Sequence, residues 1–179
     1  MVAIVFGFVF GAADQYLGSR ITLGPWAATV STASAPWLLL PFAFGCSQVR
    51  PRRAMLLGLV VTVAALAGYF TLMWSPLEGV PLSESLPGLP TLMRSQWANM
   101  LGGLVTGPLF GLVGQRWRTN RSWASAALVA GSLCLEPFAR LAAGRLSPPA
   151  FVWEIEVATG AALALFFVVV GVTRHGENA

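Results

Sequence analysis

Six stretches of this chain hold no charged residue: Met1 to Ala13, Ile21 to Val49, Ala54 to Leu77, Ser95 to Gln115, Ser122 to Leu135 and Val157 to Thr173. Those starting at Ile21, Ala54 and Ser95 reach the roughly 17 to 25 residues with which a helix crosses about 30 Å of hydrocarbon. The other three reach it by taking in acidic residues near one end: Asp14, Glu136, or Glu154 with Glu156. Segments this apolar have no solvated face to offer water, so each must be covered by protein or by lipid. The expected fold is all-α, a polytopic transmembrane bundle of six helices over about 1–17, 25–46, 54–74, 92–114, 122–141 and 150–173. Composition agrees, since 56% of the 179 residues are apolar and 10% charged, at a mean hydropathy of +0.70, where soluble domains carry about 25% charge.

Several function classes drop out at once. Two Cys and one His supply neither a disulfide framework nor a zinc site. The 11 basic residues are all Arg and stand scattered against 7 acids, with no basic face carrying aromatics, so nucleic acid is not an expected partner. No nucleophile adjoins a base, and neither a phosphate loop nor a metal-ligand spacing is present. No catalytic, cofactor-binding or metal residue is therefore assigned, and an enzyme is not expected. Cys46 and Cys134 are expected as free thiols at different depths, and His175 as a solvated residue of a short charged tail.

Arginine position orients such a chain. Gln48 to Arg53 and Gln115 to Arg121 hold three Arg each, and Arg174 follows the last helix. With these sides inside, both termini are cytoplasmic, the inner ends sum to +6 and the outer ends to −2. The expected location is the cell membrane. A signal peptide is the rival reading of the first helix, with Gly11 and Ala13 as small residues, but it lacks a basic leading region.

The second half matches the first in order. Val5, Gly7, Phe10, Gly11 and Gln15 recur 100 positions later, Pro41-Phe42-Ala43 recurs as Pro137-Phe138-Ala139, and Ala54, Val61, Ala65 and Phe70 recur 96 positions later. Three helices per copy make the second copy enter from the opposite side, a 3+3 inverted repeat of the kind transporters use. The whole chain, 1–179, then forms one transmembrane domain, with half-repeats of about 1–74 and 92–173 joined by an external linker, 75–91, whose four prolines exclude a helix.

Two sets of residues are singled out. Gly7 and Gly11, and Gly103, Gly107 and Gly111, form GxxxG faces on the first and fourth helices, which allow close backbone approach and mark those helices as the expected central pair. A homodimer face is the alternative use. The other set is polar: Asp14 and Gln15 after the first glycine face, Ser31 and Ser34 with Trp37 in the proline-bearing second helix, Asn99 in the fourth, Glu136 and Arg140 spaced for a salt bridge across Pro137, and Glu154 in the sixth. Pro36 leaves the Thr32 carbonyl without its amide, so the second helix is either a kinked packing helix or a discontinuous one lining a solute site. Glu154 and Glu156 stand about 200° apart on a helix, so one of them points inward. These residues form either a polar outer vestibule, in which an acid excess favours a cation or protonated amine, or a ring of interfacial side chains reaching the headgroups.

The runs GAADQYLGS (Gly11 to Ser19), GPWA (Gly24 to Ala27), APWLLLPFAFG (Ala35 to Gly45) and SPLEG (Ser75 to Gly79) resemble a group of small polytopic integral membrane proteins classed only as a domain of unknown function. The resemblance implies the same membrane architecture and brings no activity. The expected function is solute handling, as a small transporter, channel or substrate-binding membrane subunit, with the lipid bilayer and a small cationic or neutral solute as partners. A structural or accessory membrane protein that packs with itself or a membrane partner, without transport, is the alternative.

Overall fold

A computed structural model describes residues 1–73 and 89–176, to which all structural statements refer. In chain order come α1 (Val2–Ser19), a 3-10 turn (Ile21–Leu23), α2 (Pro25–Thr32), α3 (Ala35–Cys46), α4 (Pro51–Met73), α5 (Leu89–Asn120), α6 (Trp123–Ala142) and α7 (Ala150–Gly176). Prolines sit in the first turns of α2, α3 and α4, where a missing amide breaks no intrahelical bond. Ser122 caps α6, its hydroxyl oxygen accepting from the Ser125 amide. Of the expected linker 75–91, residues 75 to 88 lie outside the described residues, while 89–91 belong to the first turn of α5, where Pro90 breaks no intrahelical bond.

The expected second helix, 25–46, is two helices bent by 51°, with Ala33 and Ser34 between them. Ala33 turns extended (φ −67°, ψ 132°), since Pro36 offers no amide to the Thr32 carbonyl and the ladder stops there. Trp26 and Trp37, which would share a face of one straight helix, are separated by this break: Trp26 is exposed and Trp37 half-buried. The fourth helix runs on to Asn120 rather than ending near 114. Gln and Arg propagate a helix about as well as Leu, so Gln115, Arg116 and Arg118 end the apolar layer and not the helix.

Four helices are long and apolar enough to cross a membrane, α1, α4, α6 and Ala150–Gly171 of α7, and the bent α2–α3 pair makes a fifth. α5 is the longest helix and is not among them, its apolar residues being diluted by glycines, Pro108, Gln96, Asn99 and Gln115. Six spans and the repeat therefore stand beyond what hydropathy and packing establish.

Close contacts give the helix directions. Gly7 lies on Val61 and Gly11 on Ala65, so α1 and α4 run parallel; Gly111 lies on Ala54 and Gly103 on Thr62, so α5 opposes α4. Arg118 donates to the Cys46 carbonyl while Gly114 packs on Phe42, setting α5 parallel to α3. Gly160 against Cys134 and Gly171 against Trp123 make α6 and α7 antiparallel. One end of the bundle, where α1 begins and α7 finishes, holds Arg50, Arg52, Arg53, Arg116, Arg118 and Arg121.

The two glycine faces do not meet. Each packs on α4, α1 from one side and α5 from the other, so α4 and not an α1–α5 pair occupies the centre. The reason lies on α4 itself, where Ala54, Gly58, Val61, Thr62, Ala64 and Ala65 are small or β-branched on both faces and let two partners approach. A second apolar cluster, Phe42, Phe110, Trp117, Val129, Leu133 and Phe167, joins α3 and α5 to the α6–α7 pair. The helix pairs that the internal matches equate pack differently: α1 lies along α4, while α5 and α7 share no comparable contact.

The outer surface is apolar, with Ile4, Phe6 and Val9 on α1, Leu101 and Val105 on α5, Leu135 and Phe138 on α6, and Leu165, Phe166 and Val169 on α7 all exposed. Water does not favour an exposed apolar belt of this extent, and lipid does.

Candidate functional site

The break between α2 and α3 leaves two exposed helix ends in mid-chain, a carbonyl at Thr32 and an amide at Ser34, which need partners wherever water is scarce. α6 supplies both. The Ser34 amide donates to the Glu136 carboxylate, at 2.8 and 3.1 Å to its two oxygens. The Arg140 guanidinium donates to the Thr32 carbonyl and lies 3.4 Å from the Ser34 hydroxyl. Glu136 and Arg140 are also joined to each other, Nε to Oε1 at 2.8 Å and through a terminal nitrogen at 2.6 Å. A carboxylate thus faces the positive end of α3 and a guanidinium the negative end of α2, the arrangement both half-helix dipoles favour. Arg140 is further held 5.1 Å above the Trp153 ring, whose Nε1 donates to the Ser147 carbonyl at 2.6 Å.

A turn further along α3, Trp37 Nε1 donates to Asp14 Oδ2 at 3.3 Å. The Trp37 ring packs edge-on against Phe10, with centroids 5.4 Å apart, and against Tyr69, at 6.2 Å. Between these two anchors lies an open cavity of about 880 Å³.

Asp14, Ser31, Ser34, Trp37, Asn99, Glu136 and Arg140 line this cavity, with Gln96, Tyr69, Phe70, Thr106 and Arg145 among their neighbours on its wall. Gln15 is not on the wall, being one residue and about 100° around α1 from Asp14. Glu154 is exposed on the outside of α7, which corrects its assignment to the polar cavity. Its partner Glu156 is the buried one, 8% exposed, because it shares a helix face with buried Val152, Trp153 and Gly160. That face was legible as the i−4, i−3 and i+4 neighbours of Glu156, including a Trp and a Gly. The acceptor role of Thr32 for Arg140 was not, since it joins residues 108 positions apart.

The Glu156 carboxyl group faces Glu136, and neither of its oxygens has a hydrogen-bond donor among the described residues. The one hydrogen bond this pair can form needs a donor hydrogen on one member. Glu156→Gln provides it permanently, so that variant is expected to be as stable as the wild type in detergent melts, or more stable by up to about 1 kcal/mol. A fall of several degrees would show that Glu156 meets a partner other than Glu136.

These features define a class: a helical protein with four to five membrane-capable spans and an apolar exterior, holding a charged, broken-helix cavity at one end. The chain belongs to a family of unknown function, DUF6518, whose profile matches residues 1–178. No curated protein and no solved structure matches it significantly.

Proposed function

We propose that the protein is an integral membrane protein that binds a small cationic or neutral solute in the cavity between α1, α2, α3, α4, α5 and α6. The observation that carries this reading is the broken α2–α3 helix, held open by Glu136 and Arg140 against a cavity of about 880 Å³. A helix interrupted and stabilised at a cavity wall is a feature of solute sites in membranes. A protein that only packs against a partner has no use for it, and would place its carboxylates at headgroups around a filled centre. In this reading α5 is a sixth crossing, with its glycine face on α4, Leu101 and Val105 turned to lipid, and Gln96 and Asn99 on the cavity wall. α1 begins and α7 ends on one face, taken as cytoplasmic by its arginines. The matches between halves do not enter the proposal, because the pairs they equate pack differently. No bond-breaking step is assigned to the site: its charged groups hold the fold at the break and position a ligand.

The test combines binding with access. Ser34→Cys, in a Cys46→Ala/Cys134→Ala background, is expected to react with a membrane-impermeant maleimide, whereas Leu135→Cys on the apolar exterior is not. A thermal-shift panel of amines, amino acids, polyols and nucleosides on the detergent-purified protein is expected to yield at least one class that raises the melting temperature and slows labelling at Ser34→Cys. An unreactive Ser34→Cys, or a panel that stabilises nothing, would leave the accessory, packing-only reading in place.

A further inference from the structure

Resting on that reading, we propose that the cavity contains an organic-ammonium subsite, with Asp14 as its anion and Trp37, Tyr69 and Phe70 as its aromatic wall. The cavity wall carries two carboxylates, Asp14 and Glu136, and two guanidiniums, Arg140 and Arg145, so the need for a cation is local to Asp14. Arg140 is paired with Glu136 in the salt bridge the described residues contain, and Arg145 is exposed on the cavity wall. Asp14 has no basic partner. It is only 9% exposed, and its single hydrogen bond among the described residues comes from a neutral donor, the Trp37 indole, to one of its two oxygens. A carboxylate at that depth with one neutral donor lacks the counter-charge that buried anions otherwise find. What remains exposed of Asp14 is on the cavity wall.

The chemistry of the missing cation follows from the neighbours. Trp37, Tyr69 and Phe70 share the wall with Asp14, with Trp37 and Tyr69 centroids 6.2 Å apart at 72° and Tyr69 and Phe70 5.5 Å apart at 87°. Rings set nearly at right angles form a corner in which a cation meets π density from more than one direction. A bare metal ion would need several oxygen or nitrogen ligands, and no group of three His, Cys, Asp or Glu converges among the described residues. An alkylammonium group asks for one anion and apolar or aromatic surface, and this wall presents both. The rest of the cavity leaves room for a substituent, which Gln96, Asn99 and Thr106 can meet with hydrogen bonds.

Choline and its neutral carbon isostere, 3,3-dimethylbutan-1-ol, test this directly by calorimetric titration and thermal shift on the full-length protein in detergent. Choline is expected to bind at least about tenfold more tightly. Asp14→Asn keeps an acceptor for the Trp37 indole and is expected to abolish the preference. Equal binding of the two probes, or stabilisation by other solutes with neither of these bound, would overturn the ammonium subsite and leave solute binding intact. Failure of every solute, choline included, would overturn both. A full preference retained by Asp14→Asn would also overturn the assignment, and the wild-type comparison decides the matter should that variant not fold.

Discussion

Gly11→Ala is expected to cost about 3 kcal/mol of stability, enough to remove most folded protein from a detergent extract. A Cβ at this position would overlap the Ala65 carbonyl oxygen, with the Ala65 carbonyl carbon at 2.6 Å and its Cα at 3.0 Å. All three are backbone atoms of α4, so no rotamer change relieves the contact and α1 must lift off. The controls are on α5 and α6: a Cβ at Gly102 or Gly131 meets nothing within 4 Å. Gly102→Ala and Gly131→Ala are expected to be neutral or slightly stabilising, because Ala is the better helix former. Gly103→Ala falls between, since the atoms it would press are the Thr62 and Leu66 side-chain ends at 3.3 and 3.6 Å. Melting temperatures of the four variants rank these contacts, and a Gly11→Ala protein as stable as Gly102→Ala would mean that α1 does not lie on α4 as described.

The second large effect is at the helix break. Arg140→Met leaves the Thr32 carbonyl without a donor and Glu136 with only the Ser34 amide, and is expected to cost about 3 kcal/mol. Met covers a similar length of apolar surface, so the loss reports the charged head and not the stem. Glu136→Gln keeps an acceptor for both Ser34 and Arg140 and is expected to cost less, about 1 to 2 kcal/mol. The double variant is expected to be less damaged than the sum of the two by more than about 1 kcal/mol, since each residue completes the other's bonding. Strict additivity in thermal melts would show that Glu136 and Arg140 act on the break separately. Solute protection at Ser34→Cys should fall with Arg140→Met even where the protein stays folded, because the bend that shapes the cavity wall depends on that guanidinium.

Much of this arrangement is readable from residue order. The i, i+4 spacing of Glu136 and Arg140 announces their ion pair, and Pro36 announces the orphaned Thr32 carbonyl. Sequence offers no way to join the two observations: Ser31, Thr32 and Ser34 are nearer donors for that carbonyl than an Arg 108 positions away. The α2–α3 break depends on this joining, because a proline kink with local hydroxyl donors and a true break read alike along the chain. Glu154 and Glu156 pose a similar choice. Their angular separation says that one faces inward, but which one depends on the face of α7 that meets α6.

What the order of residues determined by itself is the solvent this protein suits and the places where its backbone can come close. Charge-free runs and GxxxG spacing are local properties, set by side chains within a turn or two of each other. The tertiary structure decided the partners: that both glycine faces rest on α4, that one guanidinium and one carboxylate complete a broken helix, and that Asp14 shares a wall with three aromatic rings. Such pairings are set by how whole helix surfaces fit, and the small residues on α4 permit several fits until all the helices pack together.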